Sequence, residues 1–428
     1  MVFFHVGPAT GGEAATQPRA YHSDPHHLWN RLHETLFVRT STDGMRFGHD
    51  RLDPLLWANT RYPLVDRHAE VLRVLDEFIA SNGEKLVSDP LQRAFLQHDL
   101  WTMFDWSTIV DPHGARGRAT PELQNRLAIV IRRLALSDAE IAALPNNYVG
   151  AAASVGADLP RDLWKPESGW VNLGLESGTA VAPIHLGDFG GRSVFNVVVR
   201  LPDGRAATLQ YLERLSSFEP PWISPPPAAN AASSPSRDQL IPNPALPQFP
   251  LGTRWALVRR MCVIDTKGNV RPTRFVESIQ IRRYDVIDPT RTFVGGNEAA
   301  QKTFEYVASR ARAGALRRVG DDEVDFTSVQ FRSMGVDLFE FPAQDSATAP
   351  RNDGRHRGLR PVLQSSRTCH SASGIHSVQT YSRIFGPHTL RPPQLLEAGR
   401  EIEEQQTVQW KQRQYDFGLL QGLWRRTD

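Results

Sequence analysis

Within Ser365–Val378, SSRTCHSASGIHSV, a thiol stands directly before an imidazole, and a second imidazole comes a short way on. Cys369, His370 and His376 are residue types that bind metals, act as nucleophile and base, or complete the hydrogen bonds of an ordinary loop. A thiolate needs a nearby imidazole to become a nucleophile, so Cys369 with His370, His376 or His388 as base is one arrangement. Adjacent side chains rarely point at each other, and no family signature accompanies the pair. The bland alternative is a structural loop. In it Cys369 is a buried thiol or pairs with Cys262, the other cysteine of the chain, and the imidazoles bond backbone carbonyls.

The window Ser366-Arg367-Thr368-Cys369-His370 resembles the C-x-x-C-H attachment site of c-type cytochromes with one element changed. In that family two thiols add to the haem vinyl groups and the adjacent imidazole supplies the proximal iron ligand. Ser366 stands where the first thiol belongs. The resemblance therefore implies a haem tethered once, at Cys369, with His370 as the metal ligand; the small residues next in the chain, SASG, fit the same comparison. A second axial ligand would be needed. His376 would demand an unusual loop to reach the opposite face, whereas His388, His356 or Met334 would reach it more easily. Haem is the cofactor this implies, for a haem-binding or electron-transfer accessory protein. The rival reading is a non-enzymatic binding or scaffold protein with no cofactor, presenting surfaces to a protein partner.

The chain as a whole resembles bacterial exported-type proteins, which implies a periplasmic or extracellular site if its native start carries a signal. The given start, MVFFHV, is too short an apolar run for a signal peptide. The Gly/Ala/Pro-rich segment Gly7–Ser23 nonetheless reads like a linker after a cleaved signal or anchor. No apolar run is long enough for a transmembrane helix. A formal net charge of +2 over 428 residues gives no reason to expect nucleic acid as a partner. The loops H-E-x-x-H, G-x-S-x-G, Walker A and EF-hand are all missing from the sequence, which argues against the commoner hydrolase, nucleotidase and calcium-binding classes.

Other chemical candidates read as structure. His22, His26, His27 and His33 crowd a helix entry without acidic or cysteine partners to complete a zinc site, and are expected to be solvated. Arg351–Arg360 is a basic loop suited to phosphate, carboxylate or haem propionates, or simply to water. The glycines of Gly187–Ser193 precede a strand, the wrong context for phosphate, and suit a turn. Trp29, Trp57, Trp101 and Trp106 are expected in the core.

The elements that must position these groups make an α+β protein: an N-terminal helical bundle, then a mainly antiparallel β-region with C-terminal helices. Residues 1–23 read as a flexible segment and 24–154 as the helical part. Asp24-Pro25, Asp89-Pro90 and Thr120-Pro121 give helix starts, Ser137-x-x-Glu140 a capping box, and Asn82-Gly83 a stop. Residues 155–345 read as strands interrupted by a Pro-rich excursion, 219–250. Hairpins are expected around Pro202-Asp203-Gly204 and at Thr266–Asn269, a helix over Glu298–Arg312, and short strands at Asp325–Arg332 and Asp337–Phe341. Residues 346–428 hold the Cys-His loop and helices over Pro393–Gln409 and Gln414–Trp424. In the first of these, glutamates face water while Leu395, Leu396, Ile402 and Val408 pack inward.

Overall fold

The computed structural model describes residues 21–41, 44–53, 68–108, 121–154, 158–175, 178–218, 222–223, 241–288, 301–326, 361–370, 373–379 and 395–425. The expected strands beyond Phe326, the basic loop Arg351–Arg360, Trp57, His356, His388 and Met334 lie outside them.

Helices dominate the first part, and local chemistry sets their ends. The first, α1 (Leu28–Phe37), begins later than Asp24-Pro25 suggests, because that pair makes a turn and His27 Nδ1 accepts from the Trp29 amide. The second, α2 (His68–Ala80), is followed by Asn82 in the left-handed region at φ 51°. In α3 (Pro90–Ser107) the Asp89 carboxylate accepts from the Leu91 amide at 2.9 Å. Beyond α4 (Pro121–Arg133), the Ser137–Glu140 capping box opens α5 (Asp138–Ala143), and α6 (Asn147–Ser154) closes the series. Two short strands, β1 (Arg39–Thr40) and β2 (Arg46–Phe47), pair after α1.

The rest of the chain is built round one antiparallel seven-stranded sheet. Its strands are β3 (Val171–Leu175), β4 (Ser193–Arg200), β7 (Arg254–Ile264), β8 (Val270–Tyr284), β9 (Gln301–Ala308), β10 (Leu316–Arg318) and β11 (Leu395–Glu397), in the order β10-β9-β8-β7-β4-β3-β11. The β7–β8 hairpin turns where expected: Asp265 accepts from the amides of Lys267 and Asn269, and Gly268 takes φ 80°. Two-residue strands β5 (Trp222–Ile223) and β6 (Ile241–Pro242) pair near the ends of the Pro-rich excursion. Among the described residues no helix is long and apolar enough to cross a membrane.

The structure departs from three expectations. Pro202-Asp203-Gly204 turns the chain, but it leads into a helix, α8 (Arg205–Ser216), because Thr208, Tyr211, Leu212 and Leu215 fall on one helical face and are buried together. Within the expected helix Glu298–Arg312, the described residues 301–312 give β9, whose aromatic and β-branched residues outweigh the helical pattern, and a 3₁₀ turn at Arg310–Arg312. Near the C-terminus Leu395–Glu397 is an edge strand with Leu396 exposed; α11 (Arg400–Gln412) starts after Gly399, and α12 (Tyr415–Arg425) comes next.

Alternation along the strands gives the sheet two apolar faces. Val194, Val198, Val258, Ile279 and Ile281 join one cluster with α1 to α4, which includes fully buried Trp29 and Trp101. Leu173, Val199, Trp255 and Tyr284 join another with Tyr211, Leu212 and Leu215 of α8. This second face is where the chain bends round to place α7 (Pro183–Asp188), α9 (Val362–Cys369) and α10 (Ile375–Gln379).

Candidate functional site

The second face holds an apolar cavity of about 220 Å³. Its floor is sheet: Val197, Trp255 and Leu257 with the ends of β3 and β11. One wall is a continuous run, Val181 to His185, entering α7, and the other carries His370 and Val378. Polar groups enter from β8 as Gln280, Arg282 and Tyr284.

Two imidazoles meet here. The rings of His370 and His185 lie parallel, 11° apart in plane, with centroids 6.3 Å apart. His370 follows α9 as its C-cap, and its Nδ1 lies 2.9 Å from the Ser377 carbonyl oxygen, so the proton sits on Nδ1 and the lone pair on Nε2. Gln301 donates to the His370 carbonyl. Burial lowers the His185 pKa to about 4, with Arg282 and Arg259 adding to the effect. Burial, then Arg282 and His185, depress His370 well below the usual imidazole range. Both rings are therefore neutral at pH 7.

Arg282 is anchored within this wall. Its Nε and Nη2 donate to Gln280 Oε1 at 3.1 and 2.8 Å, Nη1 to Gln301 Oε1 at 2.9 Å, and Nη2 to the Ser366 carbonyl and hydroxyl at 3.1 and 3.0 Å. Gln280 also donates to the Ser366 hydroxyl at 2.6 Å. Thus Ser366, the residue standing where a C-x-x-C-H site has its first thiol, here fixes the guanidinium. Tyr284 and Ser377 share a hydroxyl–hydroxyl bond at 2.5 Å that ties β8 to α10.

The sequence candidates are thus divided. His370 lines the cavity, and Cys369 ends α9, its side chain lying outside the described ones. His376 sits in α10, buried, with its pKa lowered by that burial. Cys262 is a free thiol on β7 inside the core of the first face, so it does not pair with Cys369. His33 is buried against Asp99 at 3.0 Å instead of being solvated. Among the described residues no group of three or more His, Cys, Asp or Glu could hold a metal ion. His185, Arg282 and Gln280 were not legible as site residues; a basic residue alternating with apolar ones on a strand was their one trace.

A second cluster, also unforeseen, lies in the core of the first face. His98 Nε2 stands 3.2 Å from Glu277 Oε1 and 3.4 Å from Asp53 Oδ2. Arg192 bonds Asp53 and, at 2.7 Å, Asp105; Lys411 bonds Asp105 and Asp416, each at 2.7 Å. Arg259 donates to the carbonyls of Leu52 and Asp53 and approaches Glu277. Burial alone would lower the His98 pKa, but Glu277 and Asp53 raise it to about 9. A protonated His98 with Arg192, Arg259 and Lys411 matches Asp53, Asp105, Glu277 and Asp416 charge for charge. Ser193 donates to Glu277 Oε2 at 2.5 Å, and His98, Ser193 and Glu277 are all closed off from solvent. A bulge in β7 between Arg259 and Cys262 lets Arg259 and Arg260 reach inward at this point.

The chain matches no family model, no curated protein and no solved structure. The cavity itself is therefore the ground for a functional reading.

Proposed function

We propose that this chain is a non-enzymatic binding protein that holds a small, mainly apolar ligand in the cavity on the second face of the sheet. The supporting observation is a concave space of about 220 Å³, lined chiefly by aliphatic side chains and Trp255, into which a few polar groups converge. At a water-sized share of about 30 Å³ per group, it has room for on the order of seven non-hydrogen atoms. Among the described lining residues there is no serine, threonine or cysteine for the neutral imidazoles to activate.

Calorimetric titration with 1-hexanol tests this reading. Saturable binding is expected, and Val197→Trp, which fills the floor while keeping an apolar residue, should abolish it with the thermal transition retained. Absence of heat with the unaltered protein, or equal binding by the variant, would refute it.

Haem held through Cys369 and His370 is the second reading. It is favoured by His370 standing on the wall of an apolar space with the His185 ring parallel to its own. A porphyrin is several times larger than this cavity, so that reading requires α9 and α10 to move outward. Protein made beside a cytochrome-maturation system should then show a Soret band that survives acid-acetone; intact mass equal to the polypeptide alone would eliminate it.

A further inference from the structure

Resting on the reading of the cavity as a ligand site, we infer that Glu403 is the positioning residue that latches its wall: the carboxyl holds the run Val181 to His185 shut through the Val181 amide, and ionisation of that carboxyl frees the run to admit or release the ligand. The carboxyl stands on a fixed mount. Just before α11 the Ala398 amide donates to the Asn172 carbonyl of β3 at 3.0 Å, and Asn172 Nδ2 donates to the Ala398 carbonyl at 2.9 Å. Within the helix the Thr407 hydroxyl donates to the Glu403 carbonyl at 2.8 Å. What the carboxyl grips moves as one piece. Val181 runs straight into α7, where the Leu186 amide donates to the Ala182 carbonyl at 3.0 Å, and Val181 to His185 all line the cavity. Gly178, at φ 64°, turns the chain just before this run in a conformation that favours glycine.

A neutral carboxyl can remain in this buried place, whereas a carboxylate there gives up water and gains one amide shared between its two oxygens. Swinging the wall aside lets water reach it. Burial raises the Glu403 pKa, the Val181 amide opposes it, and no charged neighbour contributes. The charges on the elements around it are engaged elsewhere. Glu404 pairs with Arg260 of β7 at 2.7 Å, Arg400 stands over the Trp164 ring at 4.7 Å, Lys411 bonds Asp105 and Asp416 of α12, and Glu277 of β8 accepts from Ser193 of β4. Glu397 of β11 pairs with Arg205, and His185 on the wall itself has its pKa lowered to about 4. Opening is therefore easier once Glu403 is ionised. With a shut-form pKa of about 7 against 4.5 in water, the opening constant should rise roughly forty-fold from pH 5 to pH 7 and less than about twofold from pH 7 to pH 8.

Amide hydrogen exchange at Val181, read by mass spectrometry of overlapping peptic fragments and corrected for the intrinsic rate at each pH, measures that opening. From pH 5 to pH 7 the corrected rate is expected to rise at least about tenfold and then to level off by pH 8. Core amides of β7 and β8 should stay slower throughout, which separates a moving wall from unfolding of the whole chain. In Glu403→Gln the Val181 rate should be low and change less than about twofold over the same range. Saturating 1-hexanol should slow exchange at Val181 in the unaltered protein, because an occupant packed on the wall favours the shut form. A Val181 rate that does not change with pH, or one equal to that of the β7 and β8 core, would overturn the latch while leaving calorimetric hexanol binding, and with it the cavity reading, standing. Absence of hexanol binding would overturn the cavity reading and the gating role together. Should the glutamine variant not fold, the pH profile and the hexanol response of the unaltered protein carry the test.

Discussion

Replacing Glu403 by glutamine should make the protein more stable at pH 8 and raise its stability at pH 5 by less than about 1 kcal/mol. Glu403 lies on α11, is 1% exposed, and accepts the Val181 amide with both carboxylate oxygens at 3.2 and 3.3 Å. Burial raises its pKa to about 7, against the weaker lowering effect of that one amide. A carboxyl whose folded pKa lies above its unfolded value binds a proton on folding, so stability falls as pH rises from about 4.5 to about 7 and stays low above that. The difference, roughly 2.5 units at 1.36 kcal/mol each, is about 3 kcal/mol. Glutamine keeps an oxygen for the Val181 amide and carries no charge, which removes the penalty. Urea unfolding of both proteins at pH 5, 6, 7 and 8 measures it, and subtracting the two curves cancels other titrating groups. A difference that does not widen between pH 5 and pH 8 would refute the reasoning. Val181 heads the cavity wall, so hexanol affinity measured on the same samples shows whether this carboxyl also tunes the site.

His98 supplies the opposite pH dependence. With its pKa raised to about 9, its contribution is complete below about 6.5 and lost as pH rises through 9. His98→Gln should abolish that alkaline loss and cost about 3 kcal/mol at pH 7, as read by denaturant titration. Lys411→Met removes the cation between Asp105 and Asp416 and is expected to cost about 3–5 kcal/mol. Adding Asp105→Asn to that variant should recover part of the loss, and no recovery would mean the two are uncoupled.

Legibility in the sequence tracked the range of the interaction. The caps at Asp89 and Ser137, the stop at Asn82 and the Asp265–Asn269 turn are decided within a few residues, and each forms where the sequence indicates. Residues 301–308 mislead because β9 is stabilised by pairing with β8 across the sheet, which no local pattern records. Pro202-Asp203-Gly204 misleads because a turn signal leaves open whether a strand or a helix comes after it. His370 was visible as half of a dipeptide, yet its ring partner His185 is far away in the chain and meets it only through the sheet. Glu403 was placed on a solvent face by its acidic neighbours, whereas α11 turns it inward beneath Val181. The buried charges were hidden because His98, Asp99 and Asp105 interrupt an aromatic helix whose faces are all covered, leaving no polar side to read.

That helix, α3, has a practical corollary for anyone wishing to express this polypeptide in pieces. Asp99 is answered by Arg310, Asp105 by Arg192 and Lys411, and His98 by Asp53 and Glu277. A fragment ending after α6 would retain Asp53 yet strand both aspartates without their cations, in an interior made for company. Co-expressed halves would have to find each other before either became durable, so reassembly of the two parts, and not the yield of one, is the quantity a split-protein experiment on this fold should monitor.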